Sequence, residues 1–164
     1  MTNKRIKKKE LRMNEVKVIK APDSITNETN AVFLAGSIEM GKAVDWQQEI
    51  EDKLKDFDVT LFNPRRDDWD SSWEQTIDNP DFKEQVEWEM NSMDKAKKIV
   101  FYMDEKTKSP ITLLELGLHA SSGKCCVYCP DGFWRKGNVE VVCDRFNIPM
   151  VDDIDGLIKF IKDE

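Results

Sequence analysis

A chain of 164 residues with 40% hydrophobic and 35% charged side chains reads as one globular domain, large enough to bury a proper core. Its net charge of -7 speaks against a general nucleic-acid binder, because neutralising phosphates needs a basic surface. No apolar stretch reaches membrane-spanning length and none follows the basic N-terminus, so neither a membrane partner nor a secretory signal is expected, and the expected location is cytoplasmic.

Residues 1–15 run against the overall charge, with Lys4, Arg5, Lys7, Lys8, Lys9 and Arg12. They read as a solvated, flexible basic tail, with a weak nucleic-acid contact as the lesser alternative. The folded domain is expected over 16–164. Val16-Lys17-Val18-Ile19 suits a short edge strand, and Ala21-Pro22-Asp23 turns the chain. Ala31-Val32-Phe33-Leu34-Ala35 is a continuous apolar run of the kind found in parallel sheets. The loop Gly36-Ser37-Ile38-Glu39-Met40-Gly41 follows, then a helix from about Val44 through Trp46, Ile50 and Leu54. Val59-Thr60-Leu61-Phe62 is the next strand, ending in Asn63-Pro64-Arg65-Arg66. The polar, Trp- and Asp-rich segment from Asp67 to Pro80 is long for a connection, and such loops carry function or move.

Asp81 is the expected N-cap of a helix with Phe82, Val86, Met90 and Met93 on its apolar face. Gln85 and Glu89, four apart, share the edge of that face. The apolar run Ile99-Val100-Phe101-Tyr102-Met103 ends in Asp104. Ser109 then reads as the N-cap and Pro110 as the first position of a helix that Gly123 stops. A strand over Cys125–Cys129, a Gly-rich loop, a helix from Val139, a short strand at Pro149-Met150-Val151 and a final helix to about Lys162 complete the chain. Strands alternating with helices give an α/β fold: a single-domain, doubly wound (flavodoxin-like) parallel sheet of about five strands with helices on both faces. A ligand site belongs at the carboxyl ends of its strands, where strand order reverses. Gly36-Ser37, Asn63 to Arg66 and Asp104 to Ser109 all gather at that edge.

Glu115 stands among leucines in the helix that follows Pro110, and a carboxylate there is unfavourable unless paired or used. Three readings stay open: a rim ion pair, a metal ligand with His119, or a catalytic carboxylate. No third ligand accompanies His119, so no metal is expected. As nucleophile or acid/base, Glu115 needs a facing carboxylate, and Glu89 is the candidate, with Asp104 behind it. Gly36 and Ser37 suit a phosphate or sugar hydroxyl, or simply a turn, and lack the G-x-G-x-x-G spacing. Arg65 and Arg66 either grip an anion or balance Asp67, Asp68 and Asp70. Asn63 lies at the same edge. Asn138 either bonds a ligand or caps the following helix. Cys126 and Cys129 form a C-x-x-C pair inside a predicted strand, where residues three apart face opposite sides, so buried apolar roles are preferred over zinc or redox use.

The combination Phe33-Leu34-Ala35-Gly36-Ser37-Ile38, Asn63-Pro64-Arg65-Arg66, Gln85-Val86-Glu87-Trp88-Glu89, Ser109 through Gly117 and Gly137-Asn138-Val139 resembles the nucleoside 2-deoxyribosyltransferase-like family, in particular its phage and bacterial branch. The Gly-Ser-Ile loop and Glu-Leu-Gly helix are also similar to those of deoxynucleoside 5'-monophosphate N-glycosidases. The resemblance runs from about Val32 to Val151. It implies that Glu115 is the nucleophile at the anomeric carbon of a 2'-deoxyribose, forming a covalent glycosyl-enzyme. Glu89 lies where the family places a base-contacting carboxylate, and a second nucleobase or water then accepts the sugar. The implied partners are a deoxynucleoside or deoxynucleotide and a nucleobase, with no cofactor. Asn138 matches a position that in some members reaches a neighbouring subunit, which implies a homo-oligomer. Ser109 stands where well-studied transferases carry Asp, and with Arg65 and Arg66 it tilts the expected substrate toward a 5'-phosphate. An N-glycosidase acting on NAD and a non-catalytic nucleotide-binding module remain the alternatives.

Overall fold

The computed structural model describes residues 15–39 and 43–163. The expected basic tail, apart from Glu15, and Met40-Gly41 of the first loop lie outside the described residues. Six strands, β1 (Lys17–Lys20), β2 (Ala31–Gly36), β3 (Thr60–Asn63), β4 (Lys98–Tyr102), β5 (Cys125–Tyr128) and β6 (Met150–Val151), form one sheet. Their order is β1-β3-β2-β4-β5-β6, and every pairing is parallel. The sheet has one strand more than expected because both edges, including the two-residue β6, are hydrogen-bonded into it. The helices are α1 (Trp46–Lys53), α2 (Pro80–Lys95), α3 (Pro110–His119), α4 (Lys136–Phe146) and α5 (Ile154–Lys162). Among the described residues no helix is long and apolar enough to cross a membrane.

The strands' alternation decides which helix goes where. Val32 and Leu34 point to the face covered by Trp46 and Ile50 of α1 and Leu157, Ile158 and Ile161 of α5. Ala31, Phe33 and Ala35 point to the other, covered by Trp88 and Met93 of α2, Leu116 of α3 and Val139 and Cys143 of α4. Both faces are covered, so the central strands are apolar throughout. Burying each of the phenylalanines Phe33, Phe62 and Phe101 contributes about 2–3 kcal/mol.

From β2 the chain moves outward to β3 and then returns across β2 to β4. The strand order therefore reverses between β2 and β4, and the crevice lies beyond Gly36 and Tyr102. Glu89 on α2 and Glu115 on α3 are on the same side of the sheet, flanking that point.

Several helix starts differ from the expectation, at α1 and α2 because another side chain meets the first free amides. In α1 the start is at Trp46, with Asp45 as cap accepting from Gln48 N at 3.2 Å. Asn79, not Asp81, caps α2, accepting from Asp81 N at 3.1 Å and Phe82 N at 3.3 Å, with Pro80 at the first position. Helix α4 opens at Lys136, so Asn138 lies inside its first turn and is not the cap. The stop at Gly123 (φ 74) holds, after a 3-10 turn over Ala120–Ser122.

Candidate active site

Gly36 ends β2 where a side chain has no room. A Cβ there would run into the Tyr102 carbonyl and come within 2.6 Å of the Trp46 ring. This close approach lets Ser37 N donate to Tyr102 O at 2.9 Å, while Trp46 Nε1 donates to the Ser37 carbonyl at 3.0 Å. The Ser37 side chain is thereby aimed at the loop after β4.

There it meets two further hydroxyls. Ser37 Oγ lies 2.5 Å from Ser109 Oγ and accepts from Thr107 Oγ1 at 2.9 Å, and Thr107 and Ser109 are 2.8 Å apart. All three residues are buried. Ser37 Oγ also accepts from Asp104 N at 2.9 Å. Asp104 shapes the loop rather than projecting from it: Oδ1 accepts from Lys106 N at 2.9 Å and Oδ2 from Val44 N at 3.3 Å.

Ser109 does not act as the expected cap. Its backbone is left-handed (φ 46, ψ 54) and its hydroxyl makes no capping bond. The two amides just before α3 are met by Glu39, whose Oε1 accepts from Lys108 N at 2.7 Å and Ser109 N at 2.6 Å. Neither Thr107 nor Glu39 stood out in the sequence. Their only signal is position, each in a loop following a central strand.

The second group is the carboxylate pair. Glu115 is 8% exposed, on the buried stripe of α3 with Thr112 and Leu116. Burial first, and the Glu89 charge second, push its carboxyl up to about 8. Glu89 is pushed up to about 7 by burial, partly offset by a hydrogen bond from Gln85. No cation contributes to either shift, which leaves the rim ion-pair reading of Glu115 without a partner among the described residues. Two desolvated, mutually repelling carboxyls, Glu115 buried and Glu89 half-buried, hold a proton between them near neutrality.

Gln85 fixes the orientation of Glu89. Its Nε2 donates to Glu89 Oε1 at 2.9 Å and to the Pro64 carbonyl at 3.2 Å, and its Oε1 accepts from Arg66 Nη1 at 3.4 Å. The fork of Arg66 is taken by Asp68, at 3.0 and 3.2 Å, and its guanidinium lies 5.1 Å over the Trp73 ring. Trp73 packs edge-on against Trp69 at 5.1 Å, so the long loop covers this side of the site. Arg65 braces the start of α1, donating to Val44 O at 3.3 Å, Ala43 O at 3.4 Å and Gln47 Oε1 at 3.2 Å. Asn63 is likewise engaged within the protein, bonding Glu51 at 2.8 Å and Arg65 N at 2.9 Å.

Asn138 lies apart from the hydroxyl cluster. It is exposed and lines a groove of about 330 Å³ between α3 and α4, with Leu113, Gly117 and Trp134. Cys126 and Cys129 face opposite sides of the sheet, and all four cysteines are free and buried. Burial pushes the Cys126 thiol up to about 12, which keeps it protonated and unreactive. Among the described residues no group of three or more His, Cys, Asp or Glu side chains could hold a metal.

A crevice at the reversal of strand order, lined by hydroxyls and carrying two desolvated carboxyls, suits chemistry on a polar, sugar-like group. No curated protein matches the sequence. The family model of nucleoside 2-deoxyribosyltransferase-like proteins matches residues 29–133, more than half of the chain and the whole of the segment that builds this crevice, and the protein belongs to that family.

Proposed function

We propose that the protein cleaves or transfers the N-glycosidic bond of a 2'-deoxynucleoside or its 5'-monophosphate through a glycosyl ester on Glu115. Membership of the family associates the chain with glycosyl transfer on nucleosides, which are small-molecule substrates. The observation that carries the finer reading is the desolvated pair Glu115 and Glu89, both with raised pKa values and neither with a cation. A Glu115 oxygen attacks C1' while the C1'–N bond breaks. The bonding pair leaves with the nucleobase, which takes the proton from Glu89. Water or a second nucleobase then attacks C1' from the vacated side and returns a proton to Glu89, and Glu115 departs as carboxylate. This cycle needs one proton on the pair at its start; the coupled pair holds one near neutrality, and since Glu115 is the more strongly raised of the two, that proton has to pass to Glu89 as Glu115 attacks.

Ser37, Thr107 and Ser109 are the groups that meet the sugar, with Gly36 and Asp104 holding their loops. Arg66 acts through Gln85 on the acid. A homo-oligomer is part of this reading. It is supported by an outward stripe on α3, where Ile111, Leu114 and Leu118 are 58%, 59% and 56% exposed. A second copy covering the stripe brings Asn138 close to a neighbouring subunit, and light scattering after gel filtration tests it. The free, buried thiols suit the reducing cytoplasm.

The activity is tested by incubating each deoxynucleoside and 5'-monophosphate with and without a second free base, read by chromatography. Base release without acceptor means hydrolysis, and a new nucleoside formed only with acceptor means transfer. Nicotinamide release from NAD, with every deoxynucleoside and deoxynucleotide left intact, overturns the reading.

A further inference from the structure

The loop from Asp67 to Asn79 contributes no residue to either apolar core, yet it packs onto the groups that hold Glu89. A turn centred on Asp70 shapes it. Asp70 Oδ1 accepts from Ser72 N at 2.9 Å and Ser72 Oγ at 2.6 Å, and the Asp70 carbonyl accepts from Trp73 N at 3.2 Å. Such a turn sets where the Trp73 side chain leaves the backbone. Trp69 meets Trp73 edge-on at 5.1 Å, and both residues are half-buried.

Trp73 lies against the face of Arg66, whose guanidinium carbon is 5.1 Å from the ring centre. In its own plane the guanidinium donates from Nε and Nη2 to Asp68, at 3.0 and 3.2 Å, and from Nη1 to Gln85 Oε1 at 3.4 Å. Carboxylate, amide and ring together leave that planar group one position. Arginine carries donors only, so the Gln85 oxygen has to turn toward Arg66. Gln85 Nε2 is thereby left for Glu89 Oε1 at 2.9 Å and the Pro64 carbonyl at 3.2 Å. A cation on Oε1 also polarises the amide and strengthens the bond that Nε2 gives.

We propose that Trp73 is a positioning residue for Glu89: lying over Arg66, it keeps the guanidinium on Gln85 and the Gln85 amide aimed at the Glu89 carboxylate. This rests on the reading of Glu89 as the acid. The groups that act on Glu89 are Gln85 of its own helix, Glu115 from α3 and, behind Gln85, Arg66 from the loop after β3. Trp73 carries no charge, so it reaches the Glu89 proton only by way of Arg66 and Gln85. Without the ring, Arg66 follows Asp68, whose side chain is 72% exposed, toward solvent. Gln85 then loses the cation, its bond to Glu89 weakens, and ionised Glu89 loses support.

The test follows the Glu89 and Glu115 carboxyl carbons by NMR against pH, without substrate, in protein isotope-labelled at the glutamate side-chain carboxyls. Glu89→Gln and Glu115→Gln identify the two signals. Trp73→Leu is expected to move the titration of the pair to higher pH, in the direction of Gln85→Leu and by less. Trp73→Phe, which keeps a ring over the guanidinium, restores the wild-type curve. Alongside Gln85→Leu, Trp73→Leu adds nothing, because the link is already cut. In turnover Trp73→Leu lowers kcat by about threefold, a small part of the roughly 100- to 10,000-fold that a general acid contributes, and leaves KM nearly unchanged. A titration that Trp73→Leu leaves in place overturns the proposal, as does a shift that persists in full alongside Gln85→Leu. A KM that rises over an unmoved titration means that Trp73 meets the substrate instead. Base release by wild type tests the acid's role separately: none from any deoxynucleoside or deoxynucleotide removes that reading, while the titration still decides whether Trp73 positions Glu89.

Discussion

Glu115→Gln removes an ionisable group from a buried site and keeps its shape. The Glu115 carboxyl is pushed from 4.5 to about 8, by burial first and by the Glu89 charge second. A carboxyl whose pKa is higher in the folded than in the unfolded state binds more protons folded, so stability falls as pH rises between the two values. The span from 4.5 to about 8 sets a ceiling of about 5 kcal/mol on that loss, at about 1.4 kcal/mol per pH decade. Part of the span is repulsion from Glu89, and water entering the crevice lowers the rest. The expected gain for Glu115→Gln is therefore about 2 kcal/mol at about pH 8, and near zero at about pH 5, where both wild-type carboxyls are protonated. For a chain of this length that gain raises the melting temperature by about 4–8 °C at the higher pH only. Thermal unfolding followed by circular dichroism at the two pH values measures it. A variant that melts with wild type at both, or that loses ground at the higher pH, refutes the argument that Glu115 is desolvated and without a cation.

Three further outcomes follow from the same geometry. The pH profile of kcat/KM is a bell with both limbs near neutrality, because below about 7 both carboxyls are protonated and no nucleophile remains, and above about 8 no acid remains. A profile flat from about pH 5 to 9 contradicts this. Gln85→Leu deletes the hydrogen bond that holds Glu89 down, so the titration of the pair moves to higher pH while kcat falls; an unmoved profile means that Gln85 does not act on the acid. Gly36→Ala places a methyl group against the Tyr102 carbonyl and the Trp46 ring and lowers the stability measured in urea by about 3 kcal/mol.

The scaffold was legible because its signals are local and strong. The apolar runs of β2, β4 and β5 can only be strands covered on both faces, and the alternation with helices leaves a parallel, doubly wound sheet as the natural outcome. Glu115 was legible for the same reason, as a carboxylate where helical periodicity demands an apolar residue. The loops at the carboxyl edge were not. Ser37 and Ser109 meet across more than 70 residues of sequence, and no local rule reports such a contact. The capping rule even misled at Ser109, whose backbone is left-handed and whose hydroxyl turns to Ser37 and Thr107 instead of the helix. At α2, Pro80 favours the first helical position, which sets the cap at Asn79, two residues before the expected Asp81. Arg65, Arg66 and Asn63 looked available to an anion because the sequence does not reveal that Gln47, Asp68 and Glu51 already hold them.

The most direct measurement is the mass of the intact protein, then of its peptides, after incubation with a 2'-fluoro-2'-deoxynucleoside and no acceptor. The fluorine destabilises the oxocarbenium-like transition states of both half-reactions, so a glycosyl ester, once formed, persists. The account predicts one fluorodeoxyribosyl unit on the peptide containing Glu115, released on adding an acceptor base or on prolonged hydrolysis, and absent from Glu115→Gln. An adduct on another residue, or a Glu115→Gln variant that still releases base at the wild-type rate, contradicts it.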